Sequence, residues 1–156
     1  MKVVNFPKCL HEIARQSGYA RGLKDKYKNR PSKYDRGNKN EFVDTIGALG
    51  ELIFLHFLIE SNIDFKMVNM LDNYSTKEAD FVINNIRIDV KCKYDNYKSF
   101  IINKESQEKG KGLIDFYAIV HVKSETMAEI HRFSYAEVDQ WEDKKMKYSM
   151  AKYLSI

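Results

Sequence analysis

Residues 79–93, Ala79-Asp80-Phe81-Val82-Ile83-Asn84-Asn85-Ile86-Arg87-Ile88-Asp89-Val90-Lys91-Cys92-Lys93, read as a β-hairpin, and the rest of the fold is organised around it. The first five residues are largely apolar and β-prone. Asn84-Asn85 tolerate the positive φ of a type I′ turn, and from Ile86 onward apolar and charged residues alternate. Pairing Ile83 with Ile86 sets Asp80 opposite Asp89, with Cβ atoms roughly 5 Å apart. Arg87, Lys91 and Lys93 then share the Asp89 face, while Ile86, Ile88, Val90 and Cys92 point into a core. Facing like charges destabilise a sheet unless something positive lies between them, and a divalent cation would serve. The competing reading is an amphipathic strand with a solvated face, on which Glu78, opposite Lys91 in the same register, makes an ordinary salt bridge.

Upstream of the hairpin, residues 41–60 form a helix that is apolar almost all round, which requires burial on more than one side. Asn40 is placed to cap it, with Asp44 in the early turns where the dipole favours negative charge. Within this helix Glu51 has Asp44, Gly47, Ala48, Phe54, Leu55 and Leu58 as same-face neighbours. A carboxylate on so small and apolar a face is costly unless paired or bound to metal. The small residues let the helix approach a sheet closely, so Glu51 can reach toward the hairpin. A snorkelling or salt-bridged glutamate remains the plainer alternative.

Residues 9–28 predict a basic, moderately amphipathic helix, and residues 29–40, with Pro31, Gly37 and further basic residues, an exposed loop. Strands are expected at 64–69, in the hairpin, and at 99–103, 116–123 and 127–133. Ser134-Tyr135-Ala136-Glu137 is a capping-box signature opening a helix through Trp141. The order predicts an α/β (mixed α+β) fold in which a central mixed sheet of about five strands is flanked by helices. One domain over 1–156 is expected: a basic N-terminal helix and loop (1–40), a core (41–133), and a C-terminal helix and tail (134–156).

The 156 residues carry a formal charge of +4, distributed unevenly. Residues 1–40 hold 11 Lys/Arg against 3 Asp/Glu, whereas the remainder holds 15 against 19. A basic arm beside an acidic body suits a polyanion such as nucleic acid, and a solvated helix face explains the charge equally well. Cys9 and Cys92 are too few for a disulfide framework and lack zinc-ligand spacing, so buried or idle thiols are expected. No run has the apolar length of a membrane span and no signal-peptide stretch opens the chain, which predicts a cytoplasmic protein without membrane partners. His11, His56, His121 and His131 form no recognisable metal or nucleophile pattern. Trp141, Tyr148 and Tyr153 are expected to pack the C-terminus.

Gly47-Ala48-Leu49-Gly50-Glu51, then Ala79-Asp80, then Asp89-Val90-Lys91 resembles the motif set of the PD-(D/E)xK nuclease superfamily, the restriction-endonuclease-like fold. There a helix-borne Glu precedes an Asp at the start of one strand and an acid-x-Lys on the next. The likeness covers roughly residues 41–123, with Ala79 standing where the family often has Pro. It implies that Glu51, Asp80 and Asp89, with the Val90 carbonyl, hold Mg²⁺ or Mn²⁺. It also implies that Lys91 orients or deprotonates the attacking water, and by analogy it makes Gln107 a supporting residue. Lys24, Lys26, Lys28, Arg30, Arg87 and Lys93 are the candidate nucleic-acid contacts. The implied activity is a metal-dependent nuclease, foremost a DNA endonuclease leaving 5′-phosphates, possible as a homodimer. A Holliday-junction resolvase, an RNase and a catalytically silent nucleic-acid-binding module are the alternatives.

Overall fold

The computed structural model describes residues 1–27, 39–67, 79–94, 99–146 and 149–155, and for 22–27 and 39–43 the backbone alone. Strand β1 (Lys2–Asn5) leads into helices α1 (Cys9–Tyr27) and α2 (Lys39–Glu60), followed by β2 (Lys66–Met67), β3 (Phe81–Ile83) and β4 (Ile86–Tyr94). Then come β5 (Ser99–Asn103), α3 (Lys104–Lys109), β6 (Phe116–Val122), β7 (Met127–Ser134), α4 (Tyr135–Asp139), β8 (Glu142–Lys145) and β9 (Met150–Ser155). A mixed α/β architecture results. A six-stranded sheet runs β1-β7-β6-β4-β3-β2, and β5-β9-β8 form a second sheet. In the large sheet β4 and β6 are parallel and the other neighbours antiparallel.

The hairpin has the expected register: Phe81 pairs with Ile88, Val82 with Arg87 and Ile83 with Ile86. Asn84 and Asn85 supply the turn at φ 49° and 65°. Alternation then divides the side chains between two cores, one on each face of the large sheet. Ile88, Val90, Ala118, Val120, Val122, Ala128 and Ile130 pack under α2 with Leu49, Ile53, Phe54 and Leu58. On the opposite face Tyr117 and Ile119 pack with Phe100, Ile102, Val138 and Trp141. Ser134 caps α4 through the expected capping box, its hydroxyl accepting from the Glu137 N–H and the Glu137 carboxylate accepting from the Ser134 N–H.

Several expectations need correction. The main sheet has six strands, in keeping with the expected about five; β1 adds to the outer side of β7, and the strand expected at 99–103 lies in the second sheet instead. The tail after α4 forms β8 and β9, whose hydrogen bonds to each other and to β5 satisfy its backbone. Helix α2 begins at Lys39, so Asn40 lies inside it. Ile86 is 40% exposed, since it borders the turn at the end of β4. The charged face of β4 is not a solvated surface: Arg87, Asp89, Lys91 and Lys93 are all partly buried, on the face that carries the second core. Both cysteines are free thiols, Cys9 exposed and Cys92 partly buried, in keeping with the expected buried or idle thiols. Trp141 packs in the second core and Tyr153 on β9 pairs with Ile101, whereas Tyr148 lies outside the described residues. Among the described residues no helix is long and apolar enough to cross a membrane.

Candidate metal and catalytic site

The ladder between β3 and β4 stops at Phe81, and Asp80 occupies the bend just before it. Even-numbered residues of β4 turn their N–H groups toward β3. Beyond the ladder's end the Val90 N–H therefore needs another acceptor, and it donates to Asp80 Oδ2 at 2.6 Å. Asp80 is thus a side-chain extension of the hairpin, fixed beside Val90 rather than paired strand to strand with Asp89.

Asp89 and Lys91 project from the next two positions on the opposite parity. Lys91 Nζ stands 2.5 Å from Asp89 Oδ2 in an ion pair. That oxygen is buried, and among the described residues it has no aligned hydrogen bond. Beside it on the parallel neighbour β6, Tyr117 pairs in register with Asp89, and its buried hydroxyl also lacks a hydrogen bond among the described residues. Burial first, and then the Asp89 charge, push the Tyr117 phenol well above its ordinary value.

Glu51 comes from the other side of the sheet. Helix α2 lies so close to β4 that a Cβ on Gly50 would stand 2.6 Å from the Cys92 Cβ. Glu51 is itself 9% exposed and accepts from Arg21 Nη2 at 2.6 Å. Arg21 is almost completely buried, and its guanidinium passes over Gly47, where a Cβ would lie 3.6 Å from Nη1. It reaches this position because α1 crosses α2 tightly at Gly18, where a Cβ would meet the Thr45 backbone at 2.7–2.8 Å.

The charges of this group act on one another. Burial and then the Asp89 charge push Asp80 up to about 7, with Glu51 adding to the rise and Lys91 and the Val90 N–H opposing it. Burial also raises Glu51, against the pull of Arg21 and Lys91. For Lys91 burial disfavours the ammonium, but Asp89 and Asp80 outweigh it and hold the pKa above the ordinary lysine value. Three carboxylates therefore meet two cations, and the negative charge is under-compensated around Asp80. An all-oxygen donor set of this kind suits a hard divalent cation such as Mg²⁺ or Mn²⁺, though the Asp89 oxygen is ion-paired with Lys91 and, among the described residues, the ligand atoms of the three acids do not already converge within metal-binding distance.

Glu51, Asp80, Asp89 and Lys91 thus lie near enough for their charges to act on one another. Val90 contributes its N–H to Asp80 while its side chain lies in the first core. Other sequence candidates have different surroundings. Arg87 makes a two-pronged contact with Asp115, through Nε at 3.0 Å and Nη2 at 2.9 Å, and donates to the Gly112 carbonyl. Lys93 donates to the Ser99 carbonyl and lies over the Phe100 ring. Gln107 is buried in α3 and donates to Asp139, and its carbonyl accepts from Tyr135. Lys28 and Arg30, like Glu78, lie outside the described residues, as do the side chains of Lys24 and Lys26.

Sequence reasoning missed Arg21 and Tyr117. Arg21 was counted within a basic arm, and only its burial distinguishes it from its neighbours. Tyr117 reads as an ordinary strand residue until the parallel register sets it beside Asp89. A scan against protein-family models finds no match, and neither does a search of curated proteins.

Proposed function

We propose that the chain is a divalent-metal-dependent nuclease of the PD-(D/E)xK kind, cutting phosphodiester bonds in DNA and acting in the cytoplasm. The observation that carries this reading is the convergence of Asp80, Asp89 and Lys91 at the open end of one hairpin, with the buried Glu51 acting on the same charges. A purely structural cluster gains little from keeping under-compensated acids together, because an unpaired buried charge costs several kcal/mol.

Glu51, Asp80 and Asp89 would hold Mg²⁺ or Mn²⁺. When bound, the ion supplies Lewis-acid stabilisation of charge on the phosphate and favours ionisation of the attacking water. The chain's own residues do the rest. The Val90 N–H fixes the Asp80 carboxylate, and Arg21 fixes Glu51, so neither acid needs to be ordered when substrate arrives. Lys91, held as an ammonium beside Asp89, orients water by donating to it and stabilises negative charge on the scissile phosphate.

Incubation with supercoiled plasmid, four-way junctions, single-stranded DNA and RNA, each with Mg²⁺ or Mn²⁺, tests the reading. Cleavage of DNA to 5′-phosphate ends is the expected result. Binding without cleavage of any substrate would instead identify a silent nucleic-acid-binding module, and preferential cutting of junctions or RNA would reassign the substrate.

A further inference from the structure

A second set of ligand-type side chains lies elsewhere on the same sheet and shares no residue with the acidic site. Strands β6 and β7 set His121 directly opposite Glu129, and His131 follows two residues along on the same face, opposite Ile119. The three side chains converge on one point. Glu129 Oε2 lies 3.8 Å from His121 Nδ1 and 3.4 Å from His131 Nε2, and one ligand atom from each residue falls within 4.8 Å of the others.

Those separations are informative. His131 Nε2 makes a long hydrogen bond to Glu129 Oε2 at 3.4 Å, beyond the 2.9–3.0 Å at which good N–H···O bonds cluster, and His121 Nδ1 stands farther still from the same carboxylate, at 3.8 Å. Donors held about 2.0–2.1 Å from a tetrahedral ion are roughly 3.3–3.4 Å from one another; the His131–Glu129 separation matches this, and the wider ones, up to the 4.8 Å that spans the three ligand atoms, would have to close when an ion binds. Their surroundings are also those of a closed site: the side chains of His121, His131 and Glu129 are 7%, 17% and 25% exposed. The Phe100 ring of β5 covers them, with its centroid 4.8 Å from that of His131 and 6.2 Å from that of His121. A neutral imidazole offers the lone pair a metal requires.

We propose that His121, Glu129 and His131 form a zinc site that ties β6 to β7 beneath Phe100. Two imidazoles and one carboxylate suit zinc rather than the hard ions that prefer oxygen alone. The same three ligands can also hold iron(II), but six-coordinate geometry needs three further positions on the side where Phe100 stands. Tetrahedral zinc needs only one, which a water can fill. The site is independent of the nuclease reading, because its donors and its metal are both different.

The test uses the full chain, stripped of metal and titrated with ZnCl₂ alone by calorimetry. Native mass spectrometry counts the ions bound. Asp80→Asn/Asp89→Asn, which lacks the acidic site that could also take zinc, should bind one equivalent, and His131→Gln and Glu129→Gln are compared in that background. His131→Gln and Glu129→Gln, checked for an unchanged circular-dichroism spectrum, should each weaken it by more than about 100-fold, since even an outer partner of a metal ligand is worth 10–100-fold. Substitution of Co²⁺ into the wild type needs no variant and should give the intense visible absorption of a tetrahedral ion. The site is refuted by no zinc binding, by binding that survives in both His131→Gln and Glu129→Gln, by binding lost in the aspartate variant, or by a weak six-coordinate cobalt spectrum.

Discussion

Asp80 ties stability to pH in a way that can be measured. Its folded-state pKa of about 7 lies above the ordinary aspartate value of 3.8, so the folded protein holds this proton more tightly than the unfolded chain. The contribution to stability is whole below about pH 4 and is lost as pH rises through about 7. Without divalent metal, the wild type should therefore lose roughly a few kcal/mol from this group between those limits. Asp80→Asn should remove most of that loss, as followed by thermal melts across the range; an identical pH profile in the variant would deny Asp80 its raised pKa. Lys91 poses the complementary question of rate. Its ammonium contacts Asp89 and carries no structural load in either hydrophobic core. Lys91→Ala should lower turnover at least about 100-fold while leaving substrate affinity largely intact, and unchanged turnover would remove its role.

Among the elements, the hairpin was the most legible. Local chemistry specifies it: two Asn residues for the turn and strict alternation on β4. The capping box of α4 was readable for the same reason, because all of its partners lie within four residues. Long-range pairings were not readable. Arg21 and Glu51 are 30 residues apart on different helices, and their ion pair exists only because α1 and α2 cross at Gly18. Glu129 and His131 on β7 gain meaning only once His121 on β6 is set in register with them. The closeness of α2 to β4 was expected from Gly47 and Gly50, and Gly50 is the residue at the contact. Gly50→Ala would press a methyl group into Cys92 and should cost about 1–3 kcal/mol by the usual penalty of overpacking. It should also impair metal-dependent activity by displacing Glu51. A variant with wild-type stability and activity would show that the close approach does not position the acid.

At the scale of the whole molecule, two cores sandwich the large sheet, and the acidic group forms where β3 parts from β4, so acids from both sides of the sheet can act together. The mixed fold was legible because alternation and helical spacing are strong along the chain. Its extra strands were not, since β1 and β8 are only four residues long, β8 is wholly charged, and β1, β8 and β9 are strands by virtue of their partners. The same context changes the meaning of the basic N-terminal segment, because Arg21 turns inward to hold Glu51 instead of facing a polyanion. The most direct measurement is the melting temperature with and without millimolar Mg²⁺, Mn²⁺ or Ca²⁺, in the wild type and in Asp80→Asn/Asp89→Asn. Binding to the native state should raise the wild-type value by several degrees, about 2–3 kcal/mol at an ion concentration 100 times Kd, and leave the variant unmoved. An equal rise in both proteins would contradict a cation held by these carboxylates.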